Sequence, residues 1–206
     1  MNIIALDAAR GSGAVSQSLE AAARAAEGAG AQVTRLQLRD YRIYDCVNCK
    51  LCALGDGCKI DDDLQELSIL IAQADGVILG ADAGGGANSG SSSAVSTLLR
   101  RLRTWFEADK SQPPLPGLGP HELRPEPLAR ATKQAIIITS ARSAGPIGAF
   151  FNTGGGHIRT LRSALAACHI NALGSMEVHR VAPDSILPHR EWDRAHSLGR
   201  LIAGKL

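Results

Sequence analysis

Apolar residues gather into five short runs along this chain, and each run is followed by apolar residues spaced three and four apart. The first run, residues 2–7 with Ile3, Ile4, Ala5 and Leu6, has the pattern of a strand buried on both faces. From Ser16 the spacing of Leu19, Ala22, Ala23 and Ala26 predicts a helix that ends near Gly28 and Gly30. Residues 32–38 alternate Val33, Leu36 and Leu38 with polar neighbours, which predicts a second strand running on through Tyr41, Ile43 and Tyr44. A helix then carries Leu64, Leu67, Leu70 and Ile71 inward. Residues 75–81 predict a third strand, and a helix from Ala94 follows, with Val95, Leu98, Leu99 and Leu102 on one side and an end near Phe106. Residues 134–139, with Ile136, Ile137 and Ile138, predict a fourth strand. A helix from His157 carries Leu161, Leu165 and Cys168, the last read as a small buried apolar side chain. Residues 171–181 predict the last strand and 191–203 the last helix.

Five strands, each followed by a helix, imply a parallel sheet with right-handed crossovers and hence a three-layer, doubly wound α/β domain. In the order 2-1-3-4-5 the direction of winding reverses between strands one and three, and ligands bind there, outside the carboxyl ends. This order sets the loop at 8–18 against the loop at 82–93. The segment after strand two falls on the same edge.

The 206 residues suffice for one core, and a single domain spanning 1–206 is expected. Residues 109–133 hold six of the nine prolines, a length of irregular chain that reads as an arm or lid, or else as disorder. A formal net charge of +2, with both signs interspersed, supplies no basic stripe, so neither nucleic acid nor an anionic membrane is an expected partner. No basic leader precedes an apolar core at the N-terminus, and no apolar stretch approaches about eighteen residues. A cytoplasmic protein is expected, and the clustered cysteines fit a reducing compartment.

Four of the five cysteines, Cys46, Cys49, Cys52 and Cys58, lie within thirteen residues as C-x2-C-x2-C-x5-C. Two residues between thiolates let neighbouring sulfurs face one soft centre. Zinc knuckles are usually separated by a long spacer, which this stretch lacks, so an iron-sulfur cluster suits it better. Zinc, a reduced metal-free loop and a labile disulfide are the alternatives. Asp61, Asp62 and Asp63 follow, and their expected work is to cap the next helix rather than to bind metal. Around the first loop Arg10, Ser12, Ser16 and Ser18 make a candidate phosphate seat, with an ordinary turn and serine cap as the alternative. Ser16 stands at the third glycine position of G-x-G-x-x-G, so a dinucleotide fingerprint is not formed. Residues 82–93 are close to low complexity and read as a flexible segment or a backbone cradle. Among six scattered histidines only His157 adjoins a Gly-rich loop.

With Arg10 to Ser16, the cysteine loop closing on Cys58 with Asp61-Asp62, the run Ala74-Asp75-Gly76-Val77-Ile78-Leu79-Gly80 and the pair Arg100-Arg101, the chain resembles the flavodoxin-like NAD(P)H-dependent FMN reductase superfamily, and within it the iron-sulfur flavoproteins. The resemblance runs over most of the chain, and its specific part is the compact cysteine motif. It implies FMN at the switch point, with Arg10, Ser12, Ser16 and Ser18 on the phosphate, and the backbone of Ala83, Gly84, Gly85, Gly86 and Asn88 and of Ala141, Arg142 and Gly145 beside the ring. It also implies a [4Fe-4S] cluster on Cys46, Cys49, Cys52 and Cys58, NAD(P)H as a candidate electron donor, a small-molecule or protein redox partner, and a homodimer or homotetramer. Relatives tend to read Gly-Ser-Pro-Arg and then Gly-Asn-Thr in the first loop, where this chain has Asp7-Ala8-Ala9-Arg10 and Ala14-Val15-Ser16. They commonly place a proline and an aromatic residue after the third strand, and residues 83–93 offer neither, which leaves Phe150 and Phe151 as candidate ring contacts. Three functions follow in order: an FMN-dependent electron-transfer oxidoreductase with a cluster; a NAD(P)H-dependent flavin or quinone reductase without one; and a non-enzymatic metal-binding module on a scaffold that has lost FMN.

Overall fold

The computed structural model describes residues 1–9, 13–47, 60–82, 90–107, 132–140, 154–178 and 186–206. The five expected strands form: β1 (Asn2–Ala8), β2 (Gln32–Gln37), β3 (Gly76–Ala81), β4 (Lys133–Ser140) and β5 (Ile170–Val178). The helices are α1 (Ala14–Gly28), α2 (Leu64–Gln73), α3 (Gly90–Glu107), α4 (Gly154–Ala167) and α5 (His189–Ala203). All strand pairings are parallel and the order is β2-β1-β3-β4-β5, the flavodoxin-like order that the sequence implies.

Side chains alternate across the sheet as the period of two requires. Ile3, Ala5, Ile78, Ile136, Ile138, Met176 and Val178 enter one buried cluster with the apolar faces of α1 and α5. Ile4, Leu6, Ala8, Val77, Leu79, Ala81, Ala135 and Ile137 enter the other, with residues of α2, α3 and α4. The central strands are therefore apolar without alternation because both faces are covered.

Helix boundaries differ most at the amino ends. α3 begins at Gly90 rather than Ala94, so residues 90–93, expected in the Gly/Ser loop, are helical, and α4 takes in Gly154, Gly155 and Gly156. Glycine and serine are costly chiefly in helix interiors, and serine is favoured near helix starts, so a Gly/Ser run can enter a first turn. β5 is described over Ile170–Val178, and residues 179–181 of the expected strand lie outside the described residues. The proline-rich segment falls in 108–131, outside the described residues, as do Phe150 and Phe151.

α1 ends in a closure that its sequence announces. Gly30 has φ +93, its N–H donates to the Glu27 carbonyl at 2.9 Å, and the Ala31 N–H donates to the Ala26 carbonyl at 3.0 Å. This is the paired 5→2 and 6→1 bonding that a left-handed residue permits. Outside the helix, the Arg35 guanidinium on β2 bridges Glu20 and Glu27 on α1. At the other end of the sheet, Lys133 is buried and its Nζ donates to the Ala72 carbonyl at 2.8 Å and to that of Ala74, which closes the carboxyl end of α2.

The α1–α5 contact is backbone-close at one point. A Cβ on Gly199 would stand 2.0 Å from the Ala22 carbonyl oxygen. Gly199→Ala therefore forces the two helices apart, and we expect a loss of about 2–3 kcal/mol in denaturant unfolding with the two-state slope retained.

Candidate functional site

Parallel register aligns the carboxyl ends of the central strands. Ala8 of β1 stands opposite Ala81 of β3, and Ala81 opposite Thr139 of β4. The chain leaves β1 toward α1 on one face and β3 toward α3 on the other, so a crevice opens between them. Three segments expected at a ligand, residues 10–12, 83–89 and 141–153, depart from this edge. They lie outside the described residues, and with them Arg10, Ser12, Ala83, Gly84, Gly85, Gly86, Asn88, Ala141, Arg142 and Gly145.

Around the crevice the described residues fit a bound phosphate. Gly13 precedes α1 in an extended conformation, no side chain caps the helix start, and a Cβ on Gly13 would meet nothing within 4 Å. A helix start of this kind presents backbone N–H groups and the positive end of its dipole. Asp7, an unlikely neighbour for a phosphate on charge alone, turns its Oδ1 onto the Ala9 N–H at 2.9 Å. Ser16, third in α1, is half-buried and lines a groove of about 390 Å³ with Gln17, Glu20, Arg24, Leu187 and Trp192. Ser18 departs from its expected place. It is fully buried on the packed side of α1, and its Oγ has no partner among the described residues. His157, fourth in α4, is half-buried.

The cysteine segment is anchored more firmly than its composition suggests. After β2 and a short 3₁₀ turn (Leu38–Asp40), the chain runs past Tyr41 and Ile43, which pack on the α2/α3/α4 side of the core. Cys46 is half-buried, while Cys49, Cys52 and Cys58 fall in 48–59, outside the described residues. The two stems are laced together. The Arg42 N–H donates to Asp63 Oδ2 at 2.6 Å and the Asp63 N–H to the Arg42 carbonyl at 3.0 Å. The Tyr44 N–H donates to Asp62 Oδ2 at 2.8 Å. Asp62 Oδ1 also accepts the Leu64 N–H at 3.2 Å, which satisfies the first N–H of α2 from the residue before its N-cap, while the N-cap itself, Asp63, makes no side-chain cap.

Its larger role went unread. The side chains of Arg101 and Asp62 are 2% and 1% exposed and form a two-pronged ion pair: Nη1 donates to Oδ2, and Nη2 to Oδ1 at 3.1 Å. Arg101 Nη1 also donates to the Tyr44 carbonyl at 2.8 Å. Next to it, Thr97 Oγ1 donates to Asp45 Oδ1 at 2.5 Å and Arg100 Nη2 to the same oxygen at 3.1 Å. The signal was present in the spacing, because Arg101 falls three residues after Leu98 and one before Leu102, on the apolar stripe of α3.

These features define a doubly wound domain with a crevice at its switch point and with the stems of the cysteine segment bound to α3. The model of the NADPH-dependent FMN reductase family matches residues 1–109, and the chain belongs to that family of oxidoreductases. No curated protein matches it. Among solved structures it is similar to oxidised flavodoxin 1 from Bacillus cereus, with TM-score 0.60 and 14% identity over 100% of this chain and 99% of that one. It is also similar to the NAD(P)H:quinone oxidoreductase from Methanothermobacter marburgensis, with TM-score 0.61 and 14% identity over 97% and 96%. A third likeness is to the azoreductase AzrA, with TM-score 0.59 and 12% identity over 100% of each chain. At these identities the structures attest the flavodoxin-like fold. Among the described residues no helix is long and apolar enough to cross a membrane.

Burial works to raise the pKa of Asp62, but the Arg101 guanidinium and the Tyr44 and Leu64 N–H groups outweigh it and hold the carboxyl below its ordinary value. A depressed folded-state pKa contributes stability that is present above the carboxyl's ordinary value of 3.8 and is lost as pH falls through the folded one. Asp62→Asn leaves a buried guanidinium without its counter-charge. Urea unfolding at neutral pH should show a loss of roughly 3–5 kcal/mol. The gap from wild type should narrow below about pH 4, where the wild-type carboxyl itself protonates.

Proposed function

We propose that the chain is an FMN-dependent electron-transfer oxidoreductase, with FMN in the crevice between β1 and β3 and a [4Fe-4S] cluster on Cys46, Cys49, Cys52 and Cys58. The observation that supports the FMN site is the register Ala8–Ala81–Thr139, which aligns the carboxyl ends of three strands about the switch point in a chain of an FMN reductase family. The donor set carries the cluster, since four thiols in thirteen residues form a soft, compact ligand group.

Bound FMN supplies the redox chemistry, and the protein's part is to bind, orient and exclude water. Arg10, Ser12, Ser16 and the N–H groups at the start of α1 would hold the phosphate. Ser18, enclosed on the packed side of α1, is left out of that group. The backbone of Gly84 to Asn88 and of Ala141 to Gly145 would flank the ring, and no side chain is assigned as a proton-transfer catalyst. Electrons would come from NAD(P)H or a protein donor, in a homodimer or homotetramer. The family match also favours a second reading, a NAD(P)H-dependent flavin or quinone reductase whose thiol loop carries no cluster.

An absorption spectrum of protein purified without oxygen separates the readings. Flavin bands over a broad, bleachable shoulder are the expected result; flavin alone selects the reductase, and neither overturns both. Cys49→Ala should abolish the shoulder and leave FMN bound, because the sites use different loops. Arg10→Ser should lower FMN content without loss of iron, and undiminished FMN would remove Arg10 from the site.

A further inference from the structure

We propose that Arg101 is the positioning residue of the cysteine loop: its guanidinium joins the two ends of the loop to each other and to α3, and so sets how tightly the thiols grip a soft metal centre. The proposal rests on the reading that these thiols act together on one centre. Its evidence lies in described residues on either side of the cysteines.

One nitrogen of Arg101 reaches the entering stem at the Tyr44 carbonyl, and both terminal nitrogens reach the leaving stem at Asp62. Seventeen residues, 45–61, lie between those contacts and contain all four clustered cysteines. Asp62 in turn accepts the Tyr44 N–H, so Tyr44 is held through both its backbone groups. Cys46 follows two residues later, just after Asp45, which Thr97 and Arg100 of the same helix hold. A planar, two-pronged donor fixes direction as well as distance, and Lys cannot reproduce that fork. Ligands brought together in advance bind more tightly, because the ordering cost is met during folding. Groups that orient ligands without touching the metal commonly change affinity 10- to 100-fold.

The full-length protein with its cysteines reduced, titrated with Co(II) and followed by the thiolate-to-cobalt absorption, provides the readout. The pair Arg101→Met with Asp62→Leu removes both charges together, so no lone buried charge remains. It also leaves the Tyr44 and Leu64 backbone groups without their partners, so that double variant should melt cooperatively but below wild type, and at a temperature where it is folded should bind Co(II) roughly 10- to 100-fold more weakly. Arg101→Lys, which keeps the charge, should fall between them and serves where the pair fails to fold. Affinity equal to wild type in a folded variant overturns the proposal.

Should the wild-type protein take up neither iron and sulfide nor Co(II), the metal-site reading fails while the role of Arg101 stays testable. Alkylation of Cys46 and Cys58 by iodoacetamide, resolved by mass spectrometry, should then accelerate in the Arg101 variants. Unchanged rates would show that Arg101 does not position the loop.

Discussion

Parallel strands cannot be joined by tight turns, so each must be carried back across a face of the sheet before the next begins. That constraint arranges this molecule. It covers both faces with helices, which is why β3 is buried along its whole length and why Ile136, Ile137 and Ile138 can follow one another without a polar residue. It also places every carboxyl end on one edge. Because β2 lies to one side of β1 and β3 to the other, α1 and α3 start from opposite faces at neighbouring strands. Beyond Ala8 and Ala81, which stand side by side, the chain therefore leads to helices on opposite faces, and a gap opens between the two strand ends.

The buried pair between Arg101 and Asp62 needs a different explanation from the core around it. Removing both charges from water costs several kcal/mol per ion, and only good geometry with further hydrogen bonds offsets it. Both conditions are met, since the pair is two-pronged and the Tyr44 carbonyl and N–H complete it. An apolar pair of similar volume would avoid the desolvation cost but leave the Tyr44 carbonyl and the Tyr44 and Leu64 N–H groups without partners. What an apolar pair lacks is direction. Closing a loop of this length costs on the order of 2.5 kcal/mol by the logarithmic dependence on length, and a guanidinium that meets both stems offsets that cost at one place. The laced pair Arg42 and Asp63 continues the closure one step further out.

Strands were legible from the sequence because burial on both faces leaves no ambiguity: Ile3 to Leu6 and Val77 to Leu79 have no other use. Helix starts were less legible, since Gly90 to Ser93 and Gly154 to Gly156 carry residues that signal loops in isolation and are admitted to a first turn by the elements behind them. The three-aspartate run was half read. Its capping role follows from local sequence, whereas the partnership of Asp62 with Arg101 spans 39 positions and depends on how α3 crosses the stem of the cysteine loop. Ser18 misled for a related reason: a hydroxyl near a Gly/Ser loop suggests an anion, but its position on α1 points it into the packed side, where small residues let α5 approach.

The family match ends at residue 109, two residues beyond α3. Within it lie the first loop, the cysteine segment, the third-strand loop and the helix that binds the cysteine stems. The remaining strands and helices complete the sheet and bury it. α3 is thus the element common to both candidate sites. Its first turn follows the segment expected beside the flavin, and its third and fourth turns hold the stems of the thiol loop. A helix is stiff over that length, so its first turn and the stems bound at its third and fourth turns keep a fixed separation. For the electron exchange we propose, α3 is the described element that leads from the segment after β3 to the stems of the cysteine segment.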